Sequence, residues 1–179
     1  KDSDGAQVYN DLTFTYTGKF SNKSGTYNTV IARPDATSTR YTFNSDHLNI
    51  KTETFDGSPQ AGACMRLLTT DYNASKLPAS VTTTFYNEAG NARSFTHRYT
   101  YDSFGNLISH TDPENHTTEY SYFTRYPATN TRPPNQPLLC MPTGKTWRQD
   151  EDTCIREEYI LSEDKLSVTA KNIYVNDVL

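Results

Sequence analysis

Histidines are the side chains of this chain best suited to bind a metal, and they are few and scattered. They are His47, His97, His110 and His116. Only His110 and His116 lie close in sequence, on either side of a predicted turn at Asp112-Pro113. A metal site needs several ligands that converge on one point. Metal binding by this pair is one interpretation, but we favour ordinary surface positions and predict no metal site.

The three cysteines are Cys64, Cys140 and Cys154. Their number is odd, and no two have the close spacing of a zinc site. Cys140 and Cys154 could bridge a hairpin. We favour the alternative, in which all three are reduced and partly buried as small apolar side chains.

Motifs for nucleotide, calcium or nucleophile chemistry are incomplete. Gly144-Lys145-Thr146 is similar to the end of a phosphate-binding loop, but that loop needs a glycine where this chain has Leu139, and a helix after it. Asp2-Ser3-Asp4-Gly5 lacks the remaining oxygen ligands of a calcium loop. A Gly-x-Ser-x-Gly motif is also missing. We therefore predict a protein that is not an enzyme and has no cofactor.

A repeated strand–turn–strand unit is the main organising feature of the sequence. Arg98–Leu107 reads RYTYDSFGNL, and Arg40–Leu48 reads RYTFNSDHL, one residue shorter in its turn. A looser third copy runs over Thr84–Ala92. Such repetition is typical of proteins built from stacked hairpins, which act through an extended surface.

Aromatic pairs define the strand part of the unit. Tyr99 and Tyr101 are two positions apart, as are Tyr41 and Phe43 in the second copy. Residues two apart on a strand point to the same face, where aromatic rings pack against cross-strand neighbours. Packing is the role we predict for these rings, and a sugar-stacking platform is the alternative.

Turn-forming residues follow the aromatic pair. Asp102 can accept hydrogen bonds from the backbone of the turn. Gly105 can adopt positive φ, and Asn106 tolerates it better than most residues. The return strand is then predicted over Leu107–Thr111.

A second turn extends the hairpin to a three-strand meander. Asp112 and Pro113 open that turn, and Asn115 stands where a left-handed residue is useful. The strand that follows carries another tyrosine pair, Tyr120 and Tyr122.

These motifs together resemble the YD repeat of the RHS family, which includes bacterial polymorphic toxins, insecticidal toxin complexes and animal teneurins. The resemblance rests on YTYDSFGNL over 99–107, then Thr111-Asp112-Pro113 and Tyr120-Ser121-Tyr122. It is weaker over 40–48 and weakest over 84–92. Phe123 stands where an aspartate would open another unit, which predicts that the regular array ends there.

The resemblance implies a long β-sheet wound into a hollow shell around a toxic polypeptide. The chain would be a non-catalytic segment of that wall, and its partners would be the rest of a longer parent chain and the enclosed toxin domain. A secreted or cell-surface bacterial protein is implied. The alternative is a cell-surface β module that binds carbohydrate or protein.

Composition and charge agree with an all-β chain. The 179 residues include 13 Tyr and 8 Phe, which favour strands, and no segment has helical periodicity. We predict an antiparallel sheet of consecutive hairpins, as in a YD-repeat meander. The net charge of −4 argues against a nucleic-acid partner. No apolar run is long enough to span a membrane.

Three regions are predicted along the chain. Residues 1–125 form the hairpin region, 126–137 a proline-rich linker, and 138–179 additional strands that pack on or extend the sheet. A turn at Ser162–Lys165 divides the last strands. The start of the sequence has no signal-peptide pattern, so we expect a fragment of a longer protein.

Overall fold

The computed structural model describes residues 12–17, 25–124 and 140–177. These residues form β-strands joined by turns, with no helix among them. The strands are β1 (Thr13–Thr17), β2 (Tyr27–Ala32), β3 (Ser38–Phe43), β4 (Asn49–Asp56), β5 (Ala63–Tyr72), β6 (Pro78–Tyr86), β7 (Ala92–Tyr101), β8 (Leu107–Thr111), β9 (Thr117–Thr124), β10 (Cys140–Arg148), β11 (Cys154–Leu161) and β12 (Val168–Val175). The prediction of an all-β chain is confirmed.

Strand pairing is antiparallel and joins strands that follow each other in sequence. This is the predicted meander of consecutive hairpins. The predicted linker at 126–137 and the segment Asp2–Gly5 lie outside the described residues. The chain divides into two compact units, 1–96 and 97–179, and β7 runs across the division.

In the first unit, β1 to β6 and the first half of β7 build the sheet. One cross-strand row joins Val30 to Arg40, Arg40 to Glu53, and Glu53 to Leu67. Between β6 and β7, side-chain hydroxyls contact each other across the strands, and Thr84 Oγ1 lies 2.8 Å from Ser94 Oγ. Threonine is frequent on both faces, as expected of a strand residue that can also hydrogen-bond.

In the second unit, the rest of β7 and β8 to β12 build the sheet. Its rows run across the strands as Tyr99–His110–Thr118–Trp147–Ile155 and as Ser109–Glu119–Thr146–Arg156–Tyr174. Neighbouring positions on a strand face opposite sides. We call the face that carries Tyr99, His110 and Trp147 the aromatic face, and the opposite face carries Ser109, Glu119, Thr146, Arg156 and Tyr174.

Burial is slight for a chain of this length. In the part that the structure describes, Phe55 is the one buried apolar side chain, at 5% exposure. The other buried side chains are polar, and they are those of Ser38, Thr39, Glu53, Thr70 and Thr84. The apolar core that usually joins two layers of a domain is therefore missing from the described residues. Cross-strand contacts are the main internal source of stability.

The last turn is longer than predicted. The Ser162 N–H donates to Ser167 O at 2.9 Å, and Asp164 Oδ1 accepts from the Leu166 N–H at 3.1 Å. Lys165 lies inside this turn with φ of 61°, and the following strand begins at Val168, so the turn extends beyond the predicted Ser162–Lys165. A lysine in left-handed conformation carries no sequence signal of the kind that glycine gives.

Candidate functional site

Three turns of the chain are copies of one another at regular spacing. They begin at Asn44, Asn73 and Asp102, so their first residues lie 29 positions apart. In each, the first N–H donates to the fifth carbonyl and the fourth N–H donates to the first carbonyl, at 2.9 to 3.1 Å. The repeat is therefore a structural unit.

The first side chain caps each of these turns. Asp102 Oδ1 accepts from the N–H groups of Phe104 and Asn106, both at 2.9 Å. Asn44 and Asn73 use Oδ1 in the same way, at 2.9 to 3.0 Å. Two backbone donors that would otherwise face solvent are thus satisfied by one side chain.

The fourth residue of each turn is left-handed. Gly105 has φ of 89°, His47 of 64° and Lys76 of 63°. The predicted shorter turn in Arg40–Leu48 is wrong, because His47 takes the place of Gly105 and the two turns have equal length. Histidine gives no sequence signal for a left-handed residue as glycine does. The turn in Arg40–Leu48 was therefore predicted one residue too short.

Sequence reasoning missed the copy that begins at Asn73. Its signal was present, since Phe43-Asn44, Tyr72-Asn73 and Tyr101-Asp102 repeat an aromatic–Asx pair at equal spacing. The pairing beside each turn also agrees, because Tyr72 pairs with Pro78 and Tyr101 with Leu107, each next to a shift of register.

The second turn of the repeat has the same hydrogen bonds. Asp112 Oδ1 accepts from the N–H groups of Glu114 and His116, both at 2.9 Å. Pro113 lies at the second position, and Asn115 is left-handed with φ of 68°. Desolvation by itself raises the pKa of Asp112, but hydrogen bonds from the backbone N–H groups and from the His116 side chain outweigh it and hold the pKa below its usual value.

The four tyrosines of the repeat share one face of the second unit. Tyr99 and Tyr101 alternate on β7, and Tyr120 and Tyr122 on β9, where all four are half-buried. Burial raises the pKa of Tyr101 and of Tyr122. Their rings therefore contribute packing area within the sheet.

The remaining predicted residues lie beside these tyrosines or in the equivalent place of the first unit. Asn106 Nδ2 donates to Asp102 Oδ2 at 2.7 Å and to Cys140 Sγ at 3.3 Å, which ties the turn to β10. Tyr41 pairs with residues of β2 and β4, and the Phe43 ring stacks on that of Tyr27 at 5.0 Å between centroids.

The two histidines considered as a metal pair have different partners. His110 Nε2 lies 2.9 Å from His97 Nδ1, and its ring is parallel to that of Tyr99 at 5.0 Å. His116 Nδ1 lies 3.2 Å from Asp112 Oδ2. The structure thus places His110 and His116 in separate contacts.

A group of possible metal ligands does occur in the second turn. Asp112, Glu114 and His116 bring one ligand atom each within 4.8 Å of one another. Asp112 is already engaged by the backbone of the turn and by His116, and Glu114 is exposed. These contacts explain the cluster as turn chemistry, and we assign no metal to it.

The segment that resembles a phosphate loop lies inside β10. Gly144 is buried, and the segment Gly144-Lys145-Thr146 lies within a strand and not in a loop before a helix. Lys145 Nζ lies 4.4 Å from the ring centroid of Trp147. The residues therefore have a structural arrangement that differs from a nucleotide cradle.

All three cysteines are free and half-buried. Cys154 pairs with Arg148 at one end of β10, whereas Cys140 is the first residue of that strand. Nine strand residues separate those ends by about 25 Å. The alternative of a Cys140–Cys154 bridge is therefore wrong.

A charged cluster in the first unit gave no recognisable sequence signal. Glu53 accepts from Arg40 Nε at 2.7 Å, from Arg40 Nη2 at 2.8 Å and from Lys51 at 2.9 Å. Burial by itself raises the pKa of Glu53, but the hydrogen bonds from Arg40 and Lys51 outweigh it and hold the pKa below its usual value. The Arg40 guanidinium also lies 5.1 Å from the Phe55 ring centroid.

Comparison with known proteins identifies the repeat. The family model for the RHS Repeat matches residues 101–124, which cover the end of β7, all of β8 and β9 and the two turns between them. No curated protein matches the chain. Among the described residues, no helix is long and apolar enough to cross a membrane.

Proposed function

We propose that this chain, which carries an RHS repeat at residues 101–124, is a segment of the wall of a β-sheet shell. The shell belongs to a longer RHS-type protein and encloses a toxin polypeptide. The wall acts by confinement, with no catalytic turnover. Its partners are the rest of the parent chain and the enclosed polypeptide, and a secreted or cell-surface bacterial protein fits this role.

The scarcity of buried apolar side chains carries the proposal. Phe55 is buried, whereas large apolar residues of the sheet remain exposed on both units. A domain that functions alone normally buries one face of its sheet against a second layer. A wall segment does not need that layer within itself, because neighbouring parts of the parent chain supply it.

Strand β1 gives the proposal a local test. It pairs with β2 and with no other described strand, and Leu12, Phe14 and Tyr16 beside and within it are 51%, 50% and 74% exposed. An exposed, apolar edge strand is prone to pair with another chain. In a shell wall this edge is covered by more of the parent sheet.

The isolated 179-residue chain should therefore self-associate. Light scattering across a concentration series is expected to show growing oligomers, and the double variant Phe14→Lys with Tyr16→Lys should shift the chain toward monomer. The matched control Thr15→Lys with Thr17→Lys places the same charges on the opposite face of β1. A wild-type chain that stays monomeric at high concentration would argue against a wall segment.

Enclosure of the toxin polypeptide has to be tested in the whole parent protein. Limited proteolysis should leave the enclosed polypeptide protected, and Asp102→Ala in the wall should make it sensitive to cleavage because the repeat turn loses its cap. The control Asp102→Asn keeps the capping oxygen. Equal protection in the wild type and in Asp102→Ala would contradict a wall role for the repeat.

A cell-surface module that binds carbohydrate or protein is the second candidate. The aromatic face of the second unit favours it, because the His97, Tyr99 and His110 rings are stacked on one another with their centroids 5.0 to 6.5 Å apart. Such a surface can stack on a sugar ring. Binding on a glycan array that is lost in Tyr99→Ala would support this candidate.

A further inference from the structure

A cavity in the first unit lies far in sequence from the repeat match. It has a volume of about 360 Å³, within the range of about 300–1,000 Å³ that is usual for small-molecule sites. Its floor is one face of β1 to β3, where Thr15 pairs with Val30 and Thr17 with Asn28. Its wall is the loop Gly57–Gln60 that follows β4. From this cavity we propose a binding site for a hexuronate, a pyranose sugar that carries one carboxylate.

The wall of the cavity is held in place by specific contacts. The buried Ser38 hydroxyl donates to the Gly57 carbonyl, and the Gly62 N–H donates to Ser58 O at 2.7 Å. A Cβ on Gly62 would lie 2.2 Å from Asp56 O, so the loop can close only with glycine there. A cavity that is preformed costs a ligand less ordering of the protein.

The charged residues around the cavity favour an anionic ligand. Of the described residues that line the cavity, two are arginines and none is acidic, although the whole chain has a net charge of −4. Arg33 Nη1 donates to Thr39 Oγ1 at 2.8 Å, a neutral acceptor, so Arg33 keeps its positive charge at the cavity. Arg40 and Lys51 share one carboxylate, that of Glu53, so this cluster carries one excess positive charge.

Arg40 is well placed to bind a carboxylate. Glu53 engages its Nε and one N–H of Nη2, so that three of its five N–H groups have no hydrogen-bond acceptor among the described residues. The contact with Glu53 and the Phe55 ring fixes the plane of the guanidinium. A guanidinium held in this way loses little freedom when it binds a planar carboxylate.

Neutral polar groups around Arg40 fit the hydroxyls of a sugar. Thr15 and Thr17 contribute hydroxyls, and Gln60 contributes an amide. Asn28 Oδ1 accepts from Thr42 at 2.6 Å, so its amide N–H groups are available to a ligand. Val30 and Ala32 offer apolar surface for the ring carbons. The combination of this positive charge with several neutral polar groups favours an acidic sugar over a simple carboxylate.

Titration calorimetry of the 179-residue chain tests the site with three compounds at equal ionic strength. Sodium glucuronate should bind in a saturable way and at least tenfold more tightly than either glucose or sodium acetate. Glucose lacks the carboxylate, and acetate lacks the hydroxyls. Absence of saturable glucuronate binding would overturn the proposal, and so would equal affinity for either of the other two compounds.

Matched variants locate the binding to the cavity. Ala32 is exposed and faces the cavity, so Ala32→Phe should fill it and weaken glucuronate binding at least tenfold. Ile31→Phe places the same ring on the opposite face of β2 and should leave the affinity within twofold of wild type. Equal affinity in Ala32→Phe would overturn the assignment.

A second pair of variants leaves the sheet untouched. Gln60 is exposed in the loop, so its replacement has little effect on folding. Gln60→Glu should weaken glucuronate binding several-fold by repulsion, and Gln60→Lys should strengthen it, with both effects reduced at high salt. Affinities that do not respond to the sign of this charge would place the ligand elsewhere.

Discussion

His47 and Gly105 occupy the same left-handed position in two turns with the same backbone hydrogen bonds, at φ of 64° and 89°. One turn therefore accepts a bulky residue where its copy has glycine. The turn is held by its capping side chain and its closing hydrogen bonds, and the left-handed residue bears the strain. This relationship predicts how substitutions at the fourth position will behave.

Gly105→Val should lower the free energy of unfolding by about 1–3 kcal/mol, because a β-branched residue fits the left-handed region poorly. Urea unfolding followed by circular dichroism measures the change. Gly105→Asn is the control and should cost less, since the equivalent position in the second turn of the repeat is Asn115 with φ of 68°. Equal stability in Gly105→Val and wild type would remove the turn assignment.

Lys76→Gly should have the opposite effect. Lys76 has φ of 63°, and a non-glycine residue there costs about 1 kcal/mol, so glycine should stabilise the chain by about that amount. The salt bridge from Lys76 to Asp46 is exposed and contributes little. Lys76→Ala is the control, because it also removes the salt bridge but keeps the strain. A glycine variant no more stable than the alanine variant would contradict the expectation.

Asp102→Ala should destabilise the chain by about 1–3 kcal/mol, since two backbone N–H groups and the Asn106 amide lose their acceptor. Asp102→Asn should cost much less, because Asn44 and Asn73 cap the equivalent turns with the same oxygen. Thermal unfolding of the two variants gives the comparison. Equal losses would show that the charge of Asp102, and not its capping geometry, stabilises the turn.

The sequence predicts where the hairpins lie, but it does not show how many of their turns share the same structure. Tyrosine spacing, the Asx residue after each strand and Gly105 are strong local signals, and the strands around them lie where these signals place them. His47 and Lys76 give no such signal, because their left-handed conformation results from the hydrogen bonds of the whole turn. Local preference alone therefore underestimates the regularity of the repeat.

The candidate sites also differ in how far the sequence alone predicts them. The capping role of Asp102 follows from residue type and position, whereas the Arg40–Glu53 pair depends on which residues stand opposite each other on β3 and β4. Register cannot be read from either strand alone. The cavity beside Arg40 also requires the loop Gly57–Gln60 to fold over the sheet, which no local pattern predicts.

Gly62→Ala should destabilise the chain by about 2–4 kcal/mol, because its Cβ would lie 2.2 Å from a backbone oxygen that cannot move alone. Gly144→Ala is the comparison, since its Cβ would meet Glu157 O and Ser121 Oγ at 2.9 Å. The nearest backbone atom would be 2.9 Å away at Gly144 but 2.2 Å away at Gly62, and the Ser121 side chain can rotate, so the Gly144 variant should lose less stability. The ranking is checked by chemical denaturation, and a reversed order would contradict the geometry of the loop.

Acidification should lower the stability of the first unit, because Glu53 becomes protonated. Its pKa in the folded chain lies below the ordinary value of 4.5, because hydrogen bonds from Arg40 and Lys51 outweigh burial. The carboxylate therefore stabilises the fold above about pH 4.5, and this contribution disappears as the pH falls through the lower folded pKa.

Glu53→Gln should lower the free energy of unfolding by about 1–3 kcal/mol at pH 7 and reduce the loss of stability on acidification. Unfolding curves from pH 7 to pH 3 test both expectations, with Glu163→Gln, in an exposed turn, as the control. An unchanged pH dependence in Glu53→Gln would mean that other carboxylates cause the acid sensitivity.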